Sequence, residues 1–300
     1  MRHRCATVLA VAGLALPRPV HAQFTDPGTY ANAPVGVNQA ELDYGYAHAD
    51  ASIDTSLVVG GARFVLNQGV ANYTHNFAFL GNLAWLKASV PFASLSGSVS
   101  GTGISGSVTG LGDASVQLAT LLRGGTALSA EAFDAYEPTT TWGLSLAVTG
   151  PTGEYHEDKL LNLGSHRWSF RPELAFTYPF GRERDWEFDA YVNVSFFTDN
   201  TRYHGVEVLR QEPLPGIEAH LSHTFSPKFW ASLDSRYAYR GDTFVDDVDQ
   251  HETQDNLVVG TEAGWSPTEQ SSWVLVLAKA LVHRNAPAFT GAVLKYVYSW

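Results

Sequence analysis

Segments of about ten residues in which apolar and polar side chains alternate recur along this chain, the length that a tilted strand needs to cross a bilayer. The clearest, 166–178, puts His166, Trp168, Phe170, Pro172, Leu174, Phe176 and Tyr178 on one face. Arg167, Ser169, Arg171, Glu173, Ala175 and Thr177 take the other. Segment 185–198 sets Trp186, Phe188, Ala190, Val192, Val194 and Phe196 against Glu187, Asp189, Tyr191, Asn193 and Ser195. A period of two is a strand period, and β-branched and aromatic residues dominate where a helix would need three-and-four spacing.

About twelve such segments fit between residues 39 and 300, the others running near 39–50, 61–79, 82–95, 112–124, 139–149, 214–225, 229–240, 256–266, 272–283 and 289–300. Segment 272–283 is ambiguous, because Lys279 shares a face with Trp273, Leu275 and Leu277. After residue 22 no apolar run approaches the ~18 residues of a spanning helix. The expected fold is therefore all-β, a transmembrane antiparallel up-and-down β-barrel. A soluble β-sandwich also alternates, but it buries its apolar face in a shared core and need not end on an aromatic residue or carry an export signal.

The connections alternate in length. Long loops are expected at 51–60, 96–111, 150–165, 199–213 and 241–255, and short turns at Leu80-Gly81-Asn82, 179–184, Ser226-Pro227-Lys228 and 266–270. Barrels of the outer membrane keep short periplasmic turns and long external loops. With both ends periplasmic, the long loops fall outside. Two connections depart from this: 284–288 is short, and 125–137 is long, with Ser129 to Ala135 a candidate short helix.

The N-terminus reads as a secretory signal. Arg2, His3 and Arg4 precede an apolar run from Cys5 to Leu16, and Val20-His21-Ala22 offers a cleavage site, so residues 1–22 are expected to be removed. Pro17, Arg18 and Pro19 stop the run short of a membrane anchor. Residues 23–38 would form a periplasmic N-terminal segment able to plug part of the lumen, and 39–300 the barrel. Without residues 1–22 the chain has no cysteine, which suits an oxidising compartment. Its 19 Lys and Arg fall to 16 on loss of Arg2, Arg4 and Arg18, against 30 Asp and Glu, a formal charge of −14. So acidic a chain does not fit nucleic-acid binding, which runs on basic patches.

A charge facing lipid near the bilayer midplane costs about 2–4 kcal/mol, so alternation assigns the strand charges to the lumen. Lys87, Arg123, Arg167, Arg171, Glu173, Glu187, Asp189, Asp234, Arg236 and Glu262 are the candidate solute path, with Glu41, Asp43, Glu218, Arg240 and Lys295 on the same inward face. Opposite charges on adjacent strands, Arg167 and Arg171 against Glu187 and Asp189, are expected to lie close enough to couple. The last strand carries Ala292, Leu294, Tyr296, Tyr298 and Trp300 outward, and Tyr296, Tyr298 and Trp300 are the expected barrel-closure signal. His220 and Ser222 share the inward face, where an outer-membrane lipase could not use them, so the chain is not expected to be an enzyme. Glu154-Tyr-His156-Glu-Asp158 lacks metal-ligand spacing on a regular element, and the acidic loop 241–255 reads as a solvated surface with divalent-cation binding as its alternative; no metal or cofactor is expected.

A family resemblance adds to this reading. The stretches that carry it are Gly110-Leu-Gly-Asp113, Pro151-Thr-Gly-Glu-Tyr155, Asn162-Leu-Gly164 and Arg167-Trp-Ser-Phe-Arg-Pro-Glu173. Phe196-Phe-Thr-Asp-Asn200, Phe229-Trp-Ala-Ser-Leu-Asp234 and the C-terminal aromatic complete the set. In their order and spacing, residues 85–300 resemble the meta-pathway phenol-degradation family of bacterial outer-membrane proteins, often labelled transporters. The resemblance implies a passive channel for small hydrophobic or aromatic compounds in the bacterial outer membrane. Its partners would be outer-membrane lipid and lipopolysaccharide, the barrel-assembly machinery and a small-molecule solute. A structural or adhesive barrel acting through its external loops is the competing reading, and the small-residue stretch 96–111 suits a gate better than a contact surface.

Overall fold

The computed structural model describes residues 25–51, 61–99, 105–159 and 161–300. The expected signal peptide lies outside the described residues, as does most of loop 51–60. In chain order the strands are β1 (Asn38–Ala51), β2 (Ala62–Phe79), β3 (Asn82–Val99), β4 (Ser105–Leu111) and β5 (Ser115–Arg123). A single helical turn, α1 (Ala130–Phe133), precedes β6 (Thr141–Thr149), β7 (Ser169–Phe180), β8 (Trp186–Phe197), β9 (Asn200–Tyr203) and β10 (Glu207–Gln211). Then come β11 (Leu214–Ser226), β12 (Phe229–Arg240), β13 (Thr243–Val245), β14 (Val248–Asp249), β15 (Gln254–Trp265), β16 (Ser271–Arg284) and β17 (Ala288–Ser299).

Each long strand pairs antiparallel with its neighbours, and β17 returns to β1 in register from Gln39↔Ser299 to Asp50↔Ala288. The Asn38 amide donates to the Trp300 carbonyl at 2.8 Å, and the Trp300 amide to the Asn38 carbonyl at 2.9 Å. β4 and β5 pair with the two halves of β3 and form one interrupted crossing, so the barrel has twelve strands, as the alternation predicts. Closure satisfies the backbone N–H and C=O groups that an open edge would leave bare, the condition for a sheet to sit in hydrocarbon.

Local chemistry sets the ends. The β2–β3 hairpin turns through Leu80 and Gly81 at φ 51° and 83°, the pair of positive φ values that a two-residue turn needs. Ser129 caps α1, its side chain accepting from the Ala132 amide.

Leucines, aromatics and valines cover the outside, among them Leu42, Tyr44, Leu174, Val192, Leu233 and Leu294, all well exposed. Aromatic residues gather near the end that carries the termini: Trp300 lies 6.0 Å from Tyr298 and 6.3 Å from Tyr73 by ring centroids, and Trp273 4.8 Å from Tyr296. Lys279 resolves the ambiguous segment by pointing outward with Leu275 and Leu277.

Several boundaries differ from expectation. Residues 96–99 and 105–111, expected in a loop, extend β3 and form β4, with Ser98 opposite Ser105. Gly, Ser and Thr carry a weak alternation signal, but their backbone groups still gain ladder partners by pairing. The strand expected at 166 starts at Ser169 because His166 sits at φ 52°, outside strand geometry. Loops 199–213 and 241–255 contribute β9, β10, β13 and β14, which form a separate four-stranded sheet.

Candidate functional site

The inward face divides into two regions. Towards the long-loop end, Ala47, Ala49, Phe64, Leu66, Leu95, Val108, Phe289 and Val293 form a buried apolar cluster, with Leu161 and Leu163 packed onto it. Towards the other end the wall is charged, and residues 25–37 enter it.

Residue by residue, this N-terminal stretch bonds to the wall. The Thr25 amide donates to Glu218 Oε2 at 2.6 Å, and its hydroxyl to the Glu173 carboxylate at 3.2 Å. Lys295 Nζ lies 2.6 Å from Asp26 Oδ1 and 3.7 Å from Glu262 Oε2. The Gly28 amide donates to Asp189 Oδ2 at 3.0 Å. Tyr30 has no exposed surface. Its ring centroid is 5.3 Å from that of Trp85 and 5.2 Å, edge-on, from that of Tyr191. Its hydroxyl donates to Glu173 Oε1 at 2.8 Å and lies 2.7 Å from the Ser145 hydroxyl, while Thr141 Oγ1 donates to the Tyr30 carbonyl at 2.6 Å. Gly143 leaves room for this ring: a Cβ there would sit 2.2 Å from Tyr30 Cδ1. Further on, the Val35 amide donates to the Leu128 carbonyl at 2.8 Å and the Gly36 amide to the Asn76 carbonyl at 2.8 Å.

The wall groups also bind each other. Arg236 Nε donates to Glu218 Oε1 at 3.2 Å from directly opposite on β12. His220 Nδ1 is 2.8 Å from Asp234 Oδ1, and Ser232 donates to Asp234 Oδ2 at 3.0 Å. Lys87 is 3.3 Å from Glu41, and the Asn72 amide donates to Glu41 and Asp43 at 2.8 and 2.6 Å. Asn193 donates to Glu173 at 3.0 Å and to Glu218 at 3.2 Å. These are the partners that a charge excluded from lipid requires.

Most of the candidate path residues therefore sit inside the barrel: Lys87, Arg171, Glu173, Glu187, Asp189, Asp234, Arg236 and Glu262 lie on inward positions of their strands. Three expectations fail. Arg123 is exposed, because a bulge between Leu121 and Arg123 shifts the register by one residue and carries it off the inward face. Arg240, at the long-loop end of β12, is also exposed, at φ 81°. Arg167 precedes β7; it donates to Gln211 Oε1 at 2.6 Å and lies 4.4 Å over the Phe197 ring. Burial lowers its guanidinium to about 10, against the opposing pull of Asp113 and Asp199, so it stays charged at neutral pH.

Among the described residues no ion pair joins Arg167 or Arg171 to Glu187 or Asp189. Thr177, not Arg171, stands opposite Asp189 and donates to it at 2.5 Å. The β7–β8 register skips Arg171 and Pro172, where proline has no amide to give the ladder. Thr25, Asp26 and Tyr30 were missed as individual contact residues, since nothing local in a loop-like stretch marks what it will touch.

Four of the stretches that carry the family resemblance, 110–113, 151–155, 162–164 and 196–200, meet where β4 breaks from β5. Asp113 accepts from the Gly153 amide at 2.9 Å, the Ser165 amide at 2.8 Å and the Ser165 hydroxyl at 2.6 Å. Asn200 donates to the Tyr155 hydroxyl at 2.9 Å and the Ser165 carbonyl at 3.2 Å. Gly153 and Gly164 pack backbone to backbone: a Cβ on Gly164 would meet Gly153 atoms at 2.7 Å. Loop 150–168 is thereby fastened beside β4, whose second edge pairs with no strand among the described residues, and the Glu154 amide donates to the Leu111 carbonyl there at 2.7 Å.

The sequence profile of the family described as "Putative MetA-pathway of phenol degradation" matches residues 47–296. No curated protein matches the chain. Among solved structures, the COG4313 outer membrane channel from Pseudomonas putida F1 superposes with a TM-score of 0.80 at 20% identity, covering 92% of this chain and 100% of that one. The transport unit of the autotransporter AIDA-I from Escherichia coli gives 0.52 at 10% identity, over 92% and 93% of the two chains. The beta domain of the Bordetella autotransporter Brka gives 0.51 at 9%, over 89% and 100%. The chain belongs to the phenol-degradation family that its sequence matches.

Proposed function

We propose that this member of the family is an outer-membrane channel that passes small hydrophobic or aromatic compounds and is held closed by its own N-terminal segment. The observation that carries the reading is the divided lumen: a buried apolar wall lies above a charged wall, and residues 25–30 are hydrogen-bonded to the charged one. A barrel serving only as an anchor has no need of an apolar inner wall facing a polar occupant. An apolar solute would rest against Phe64, Leu66, Leu95 and Phe289, and would leave only when the segment shifts.

Outer-membrane placement is supported by the apolar exterior, the aromatic residues near Trp300 and the alternation of loop lengths, and in this reading the short turns face the periplasm. Catalysis is not part of the proposal. The buried Ser232–Asp234–His220 contacts do not form a nucleophile relay, since Ser232 donates to the carboxylate and not to the imidazole.

Reconstitution into planar bilayers tests the reading. The intact protein should conduct in small, rare steps, and a variant lacking residues 25–36 should conduct steadily. Liposomes carrying that variant should take up a small phenol faster than liposomes carrying an unrelated closed barrel. Equal conductance and uptake in the two forms would refute a gated channel and favour the anchor.

A further inference from the structure

The outward face of the barrel is mostly apolar, with Arg123 at the end of β5 one exception. Near the long-loop end of β16, β1 and β2 it carries Lys279, Arg284, His48 and Arg63, all exposed. Lys279 stands opposite Thr290, and Thr290 opposite His48, so these three form one row across three strands. Neighbouring strands lie about 4.8 Å apart, which puts the backbones of Lys279 and His48 about 10 Å from each other. The carboxylates nearby are accounted for. Asp50 is 3.6 Å from Arg63, and Asp255 stands opposite Arg284. Lys279 has no ion pair among the described residues, although Leu275, Leu277 and Leu281 share its face.

This distribution runs against the composition of the chain. A protein with 30 acidic and 19 basic residues places Lys279, Arg284, His48 and Arg63 on neighbouring strands of one wall. A lysine on a leucine face costs free energy unless its ammonium reaches an interface and finds an anion, its methylene stem lying along the apolar surface.

We infer that this wall binds a phosphorylated glycolipid of the outer leaflet, with Lys279 taking a phosphate and His48 and Thr290 bonding to the sugar or to a second phosphate. The assignment rests on the long loops being external, as the proposed function has it. It does not depend on whether the lumen conducts.

Native mass spectrometry of the intact, detergent-solubilised barrel tests it, with bis-phosphorylated lipid A, the same lipid dephosphorylated, and phosphatidylglycerol as probes. The phosphorylated lipid A should bind at least tenfold tighter than its dephosphorylated form. Each cation near a charged lipid surface contributes about 1 kcal/mol, so Lys279→Gln should weaken binding about fivefold. Lys279→Arg should restore it. Lys228→Gln, in the turn at the opposite end, should leave it unchanged.

Heat-modifiability of each variant shows that the barrel is folded. Equal binding of the phosphorylated and dephosphorylated lipids would overturn the inference, as would equal losses from Lys279→Gln and Lys228→Gln. Phosphatidylglycerol binding as tightly as lipid A would overturn the choice of a glycolipid. Conductance of the same preparations tests the channel reading separately.

Discussion

Replacing Tyr30 by alanine should open the lumen without unfolding the barrel. The side chain is fully buried, and large buried aromatic side chains cost about 3–5 kcal/mol on truncation. The two ring contacts, with Trp85 and Tyr191, account for about 0.5–1.5 kcal/mol each within that figure. The segment is shorter and less enclosed than a domain core, so we take the lower end, about 3 kcal/mol. At about 1.4 kcal/mol per tenfold, that shifts the ratio of docked to released segment about a hundredfold. Tyr30→Phe keeps the rings but removes the donor to Glu173. A hydrogen bond to a charged group contributes about 1.5–3 kcal/mol, and Asn193 and Thr25 still reach that carboxylate, so about tenfold is expected. Tyr30 belongs to no strand ladder, so closure of β1 on β17 stays intact. Two readings check this: open time in a planar bilayer, and the rate at which a cysteine placed at Ser145, beside the Tyr30 hydroxyl, reacts with a soluble thiol reagent. Both should rise in the order wild type, Tyr30→Phe, Tyr30→Ala. A folded Tyr30→Ala barrel with unchanged open time and unchanged labelling would refute the reasoning.

Gly143→Val should have a similar effect from the wall side, since its Cβ would fall on the Tyr30 ring; raised conductance in a folded barrel is the expected outcome. Asp26→Asn should release the segment about five- to tenfold more often, a modest change because Asp26 is 36% exposed and Glu262 stays 3.7 Å from Lys295 to balance its charge. Deleting Trp300, or replacing it by Asp, should sharply lower the amount of folded barrel in the membrane; heat-modifiable protein at the normal level would count against a role in closure. Asp113→Asn keeps the shape but weakens three hydrogen bonds, so protease should cut within loop 150–168 sooner than in the wild type.

The sequence by itself determined which side of most strands meets lipid, the ambiguous β16 and the bulged end of β5 excepted. Along β8, Trp186, Phe188, Ala190, Val192, Val194 and Phe196 alternate with Glu187, Asp189, Tyr191, Asn193 and Ser195, and the structure keeps that division. Lipid surrounds the barrel on all sides, so facing it is a property of a single residue and needs no knowledge of a partner. Where β4 and the ends of β3 were read as loop, the residues are small and carry little of that signal.

Only the tertiary structure decided what meets what inside. Asp26 reaches Lys295 across 269 residues, and Thr25 reaches Glu218 across 193, and these contacts exist only after β17 has closed on β1. One bulge takes Arg123 off the inward face, and the β7–β8 register gives Asp189 to Thr177 instead of Arg171. A side chain's face follows from a local period of two, whereas its partner follows from register, strand tilt and closure, which are set by the whole ring of strands at once.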